Sequence, residues 1–321
     1  MFIFAGLVLN TASITPNLIN LSILGWKSGE AAAKYFLIQA MSSATYAFGS
    51  ALYWHWDSPI YIFLNMDYML LGLIFLSISL IMKLGLFPFY AWVPGVIQGL
   101  SWFNCWLVLT WQKFFPLVLL LQASLSLQGQ IVSILLPFVI VSTSVVGSVL
   151  GLAQTNLRSL IAYSSLVHGS WTLMAVSLGI QTIAGYLLVY TCTLGASVFL
   201  FSRSSARSIQ SPRLFGQSST EPTIVSVLSL AGMPPLTGFL GKWLIISQWG
   251  ASNLSPFPLA MALLGSFISL NFYLSVCWGL FWAKSSEIPL WAKKSTPSLS
   301  YIVTLVLNTI PFVFGILVIN L

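Results

Sequence analysis

The 321-residue chain is 58% hydrophobic and only 5% charged, where soluble domains carry about 25% charged residues. So few charges cannot cover a water-facing surface of this size, so lipid must be the solvent for most of it, and soluble classes are excluded. Twelve Lys and Arg against five Asp and Glu give a net charge of +7, which in this setting reads as membrane topology and not as nucleic-acid binding. The apolar runs are too long for the short alternating strands of a barrel. The fold class is therefore all-α, a polytopic transmembrane helix bundle forming one integral membrane domain over residues 1–321.

The first apolar run, Phe2 to Leu24, is interrupted by Asn10, Thr15, Pro16 and Asn17 and reads as a short or kinked helix packed against protein. No Arg-rich amphipathic presequence precedes it, as expected of a chain that inserts where it is made. Lys27, Gly29 and Glu30 mark a loop, and Ala31 to Trp54 a second crossing. His55, Asp57 and Pro59 mark a turn; Ile60 to Lys83 is the third crossing, broken by Gly85 and Pro88. The fourth, Trp102 to Ala123, carries Lys113 near its middle. The fifth, sixth and seventh run over Ile131–Ala153, Arg158–Leu178 and Gln181–Phe201. Residues 203–221, with Arg203, Arg207 and Arg213 among many serines, are the longest extramembrane loop. The eighth, Pro222 to Trp249, is interrupted by Pro234, Pro235 and Gly238; the ninth and tenth cover Pro258–Ala283 and Leu299–Leu317. That makes about ten crossings of roughly 20 residues each.

Loop charges support this register. The odd-numbered loops hold Lys27, Lys34, Arg158, Arg203, Arg207, Arg213, Lys284, Lys293 and Lys294, and the even-numbered loops hold no Lys or Arg. By the positive-inside tendency the basic side is the cytoplasm or a mitochondrial matrix, with the C-terminus on the other side. Lys83, Lys113 and Lys242 are the basic residues that loops do not account for.

A lysine at mid-membrane costs about 2.5–3.5 kcal/mol on insertion scales, so one that is kept invites a functional reading. Lys113 has about 10 helical residues, or ~15 Å, on either side, too far for easy snorkelling. Lys242 follows the break Pro234-Pro235-Leu236-Thr237-Gly238, where freed carbonyls can hold ions. Lys83 is open between function and an ordinary cation at a helix C-terminus. His168, after Ser164 and Ser165, is either an interhelical hydrogen-bonding residue or a proton relay. Tyr90 and Trp92 read as aromatics of the interfacial belt. The cysteines Cys105, Cys192 and Cys277 lie apart within apolar runs and read as small buried hydrophobes. No phosphate loop, metal-spaced cluster or nucleophile–base pair is present. Two histidines and five acids leave little for redox or hydrolytic chemistry, whereas proton translocation needs only titratable lysines, water and polar side chains. The two interrupted segments, Lys83–Gly99 and Gly232–Lys242, are like the paired broken helices of transporters with internal repeats.

Four blocks then carry a family resemblance: EAAAKYFLIQA from Glu30, KLGLFPFYAWVPGVIQG with TWQK from Lys83, SSLVHGSW from Ser164, and LAGMPPLTGFLGKW from Leu230. In this order they resemble the subunit 2 family of mitochondrial NADH–ubiquinone oxidoreductase, respiratory complex I. The resemblance implies an antiporter-like fold with two inverted repeats and a role in proton translocation coupled to NADH oxidation and ubiquinone reduction. By it, Lys83 and Lys242 match the lysines of the two broken helices, Lys113 the central lysine, and His168 a polar residue of the central axis. It implies no cofactor in this chain, with NADH, flavin, iron–sulfur clusters and ubiquinone in other subunits. Implied partners are the other membrane-arm subunits (4 and 4L as neighbours), accessory subunits and phospholipids, and no nucleic acid. The implied location is the mitochondrial inner membrane, multi-pass, with basic loops in the matrix and the C-terminus in the intermembrane space.

Three departures accompany the resemblance. The family's intramembrane Glu, partner of the first lysine, would fall near Thr15, and Met1 to Gly29 contains no acid. That N-terminal segment is also shorter than the family's, as if a helix were lost or fused. Tyr90 and Gly95 replace the usual His and Glu of PFHFWVPE. Glu30, or an acid of a neighbouring subunit, is the expected substitute partner of Lys83. Two other readings stay open: a structural antiporter-like subunit that no longer pumps, and a stand-alone cation/proton transporter.

Overall fold

The computed structural model describes residues 2–19, 25–54, 67–125, 130–203, 217–234, 236–252 and 254–285. Among them the chain is helical throughout: α1 Phe2–Leu18, α2 Gly25–Trp54, α3 Asp67–Leu84, α4 Trp92–Ile97, α5 Trp102–Leu109, α6 Trp111–Leu125, α7 Gln130–Leu152, α8 Leu157–Leu178, α9 Ile180–Arg203, α10 Gln217–Ala231, α11 Thr237–Ala251 and α12 Pro256–Ser285. Helices dominate because in lipid each backbone N–H and C=O must find its partner within the chain. Buried hydroxyls follow the same rule, donating to a carbonyl one turn back, as Ser42 does to Gln39, Ser164 to Ile161 and Ser170 to Val167. Four spans, Trp102–Leu125, Ile134–Leu152, Ile180–Arg203 and Pro256–Trp282, are long and apolar enough to cross a membrane on length and composition alone.

α8 is the pivot. It is buried along nearly its whole length and packs against α4, α6, α7, α9, α11 and α12. Small residues set the close approaches. A Cβ on Gly147 of α7 would lie 2.8 Å from Leu166 Cβ, and one on Gly169 would lie 2.5 Å from a methyl of Leu86 in the chain between α3 and α4. Gly49 and Gly72 do the same between α2 and α3, where a Cβ would meet the partner backbone at 2.9 and 3.0 Å.

Four local expectations are changed or refined. Lys27, Gly29 and Glu30 belong to the first turns of α2 and not to a loop, where Lys34 pairs with Glu30 one turn away. The fourth crossing is interrupted at Thr110 (φ −115°, ψ −70°), whose hydroxyl bonds back to the Trp106 carbonyl at 2.7 Å. Lys113 therefore lies in the first turn of a second helical segment, still midway along the Trp102–Leu125 span. α10 starts at Gln217, inside the stretch read as loop. Trp92 is tied into the bundle: it lies partly buried, its Nε1 donating to the Met82 carbonyl at 3.3 Å and its ring 6.0 Å from Tyr35. The turn at His55–Pro59, most of the 203–221 loop, Lys293, Lys294 and the tenth crossing lie outside the described residues.

Candidate functional site

The two chain breaks are built alike. α3 stops at Leu84 because Gly85 turns left-handed (φ +67°), and the N–H groups of Gly85 and Leu86 return to the carbonyls of Met82 and Ile81 at 3.1 and 3.2 Å. α10 stops at Ala231 in the same way: Gly232 has φ +77°, and Gly232 and Met233 return to Ser229 and Leu228 at 3.0 and 3.3 Å. Both are Schellman closures, which satisfy the last carbonyls of a helix and favour glycine at the left-handed residue. After each break a second helix packs back tightly. A Cβ on Gly85 would lie 2.3 Å from Val93 Cγ2, and one on Gly238 would lie 1.7 Å from the Ser229 carbonyl oxygen.

The lysines sit around these breaks and α8. Lys83 is in the last turn of α3, buried, and its Nζ has no hydrogen-bond partner among the described residues. Lys242, ten residues past Gly232, folds back so that Nζ donates to the Ala231 carbonyl at 2.8 Å and lies 5.7 Å from the centroid of the Trp171 ring. Lys113, in the first turn of α6, donates to the Ser165 carbonyl of α8 at 3.1 Å and lies 5.6 Å from the centroid of the Tyr190 ring. All three lysines are at least nine-tenths buried. A cation over a π face and against a carbonyl is stabilised without a carboxylate.

His168 stands between the second and third of these. Its Nδ1 is 2.9 Å from the Tyr186 hydroxyl, and its ring is 4.8 Å from that of Tyr190. It shares the Tyr190 ring with Lys113, and Trp171, one turn further along α8, is the ring beside Lys242. Lys113 of α6, His168 of α8 and Lys242 of α11 thus form one buried set around α8, with Tyr186, Tyr190 and Trp171 beside them. Lys83 stands outside that set, reached by α8 through the Leu86–Gly169 contact.

Glu30 is placed elsewhere. Its carboxylate accepts from Lys34 on an exposed surface, and Lys34, through the hydrogen bond first and its charge second, holds the Glu30 carboxyl below the ordinary carboxylate range. The expected Glu30–Lys83 pairing is not formed, because an exposed acid has a nearer cation. Thr15, near where the family's acid is expected, donates to the Ala12 carbonyl of its own helix.

Sequence reasoning missed Tyr186, Tyr190 and Trp171. The available signal was the four-residue spacing of the two tyrosines on α9. It also missed the amide pair between α1 and α6, where Asn10 Nδ2 donates to Gln112 Oε1 at 2.9 Å beside Lys113.

Residues 2–269 match the family described as NADH:quinone oxidoreductase/Mrp antiporter, transmembrane. The chain belongs to that family. NADH-ubiquinone oxidoreductase chain 2 of Oryctolagus cuniculus is 33% identical over 272 residues, 84% of this chain and 76% of the rabbit protein. That of Squalus acanthias is 34% identical over 281 residues, covering 87% and 78%. Among solved structures, a chain of Thermus thermophilus respiratory complex I superposes with a TM-score of 0.78 at 25% identity, over 97% of this chain and 72% of that one. An archaeal membrane-bound sulfane sulfur reductase (TM-score 0.76, 20% identity, covering 98% and 69%) shares the fold. The resemblance to complex I subunit 2 read from the four sequence blocks holds, as does the all-helical antiporter-like class. The two segments that the sequence shows as interrupted, Lys83–Gly99 and Gly232–Lys242, are thus broken by the same glycine closure.

Proposed function

We propose that the chain is a proton-translocating subunit of the membrane arm of mitochondrial complex I, with Lys113, His168 and Lys242 carrying the proton route. The carrying observation is the buried set itself, two lysines and one histidine held around α8 by carbonyls, hydroxyls and π faces. A buried ammonium held this way can release its proton without leaving a carboxylate behind uncompensated. His168 has two ring nitrogens, one of them on the Tyr186 hydroxyl, and can take a proton on one side and give it on the other. Transfer over these separations runs through hydroxyls and intervening water. Lys83 would respond to charge on a neighbouring subunit and pass the change to Lys113 across α6.

In this reading electrons and their carriers, NADH, flavin, iron–sulfur clusters and ubiquinone, belong to other subunits. Subunits 4 and 4L flank the chain, the basic end faces the matrix and the C-terminus the intermembrane space. Clustering of Lys27, Lys34 and Arg158 at one end of the bundle supports that orientation. Immunocapture of the chain from mild detergent tests the assignment: it brings down NADH dehydrogenase activity and the other membrane-arm subunits. A monodisperse monomer that transports cations by itself contradicts it.

One observation favours a second reading, a structural subunit that no longer pumps. Lys83 has no carboxylate partner among the described residues, so among them the input to the route is not built.

A further inference from the structure

The charged end of the bundle holds a feature that proton transfer does not use. Where α2, the α4 segment and α8 meet, a cavity of about 410 Å³ is lined by Lys27, Lys34 and Glu30 of α2, Gly95, Trp102, and Arg158 of the first turn of α8. Three cations face one carboxylate, and that carboxylate is already paired with Lys34. Arg158 is held in place, donating from Nη1 to the Gln98 carbonyl at 3.3 Å and stacking 5.1 Å from the centroid of the Trp102 ring. A guanidinium has five N–H donors, so that one bond leaves capacity for a bidentate anion. At Gly95 the cavity is open: a Cβ there would meet nothing within 4 Å. The residue type therefore leaves both space and an uncancelled positive field.

The surroundings say what kind of anion. Trp26, beside Lys27, is 89% exposed, and Trp102 lies at the same end; amphipathic rings of this kind mark the level of the headgroups. One residue past Trp102 an apolar groove of about 320 Å³ begins between α5 and α9, lined by Phe103, Trp106, Val198 and Phe199 among others. Arg203 lies over Phe199, 4.7 Å from its centroid, at the end of α9. Basic pockets between transmembrane helices suit anionic lipid headgroups, and a groove for hydrocarbon beside such a pocket suits the same molecule.

We propose that the cavity binds the phosphate headgroup of an anionic phospholipid, with an acyl chain along the α5–α9 groove. This site is independent of the proton route. Its test uses the intact complex, labelled with photoactivatable cardiolipin, the crosslinks being mapped to peptides spanning residues 95–106 and 191–203. Gly95→Glu, which adds a carboxylate where there is room, and Arg158→Gln each lower labelling of these peptides by about fivefold or more, the weight of one charge near a headgroup. Photoactivatable phosphatidylcholine labels them weakly in the unmodified complex. Should Arg158→Gln disturb assembly through its Gln98 contact, Gly95→Glu and the exposed Lys27→Gln carry the test. Equal cardiolipin labelling in unmodified and variant complexes overturns the proposal. Suppression of labelling by inorganic phosphate at about millimolar concentration does so too, assigning the cavity to a soluble phosphate.

Discussion

Lys242 donates to the carbonyl of Ala231 at 2.8 Å, so the second chain break is closed by a lysine that comes from the helix beyond it. The first break has no counterpart: Lys83 precedes its glycine by two residues and its ammonium finds no partner among the described residues. The two halves share their closing motif but not the placement of their charge. Lys242→Met keeps the volume and removes both the cap and the titratable group. It is expected to leave the complex assembled and to lower the protons moved per electron pair, read from NADH-driven acidification in proteoliposomes. Undiminished pumping in that variant would remove Lys242 from the route.

The turns themselves are sensitive to a single methyl group. Gly85→Ala places a Cβ 2.3 Å from Val93, and Gly232→Ala places one 2.8 Å from the Lys242 ammonium, both at left-handed residues. The conformational term alone costs about 1–2 kcal/mol, and the contacts add to it. Both variants should lower the amount of assembled complex on native gels. Gly95→Ala, with nothing within 4 Å, should leave it unchanged, and a loss equal to that of Gly85→Ala would mean that strain is not the cause.

Tyr186→Phe removes the hydroxyl on His168 Nδ1 and leaves a buried ring nitrogen unpaired, a penalty of about 1–3 kcal/mol. Expected is a slower proton-coupled turnover that uncoupler restores. Tyr190→Phe keeps the π face near Lys113 and should be milder than Tyr190→Leu, which removes it. Comparing coupled with uncoupled NADH oxidation for the three variants separates these outcomes.

Much of the fold could be read from punctuation. Gly85, Pro88, Gly232 and Pro234 stand at the breaks because glycine permits the left-handed closure and proline cannot continue a helix. The three intramembrane lysines stood out by subtraction, once loops had accounted for the other cations. Thr110 gave no such sign: it lies in an apolar run, and its hydroxyl competes for the Trp106 carbonyl only once the helix forms. Glu30 looked like a loop acid, but its four-residue spacing to Lys34 supports a helix. Trp92 and the Tyr186–Tyr190 pair depend on which helix faces which, and periodicity along one segment carries no information on that.

The proton route depends most on Lys113, whose ammonium joins α6 to the Ser165 carbonyl of α8 beside Tyr190. The most direct measurement is the proton-to-electron stoichiometry of an assembled complex carrying Lys113→Ala, in sealed vesicles oxidising NADH. A sharp fall with normal assembly is the predicted result. An unchanged stoichiometry would contradict it and leave the chain a structural member of the membrane arm.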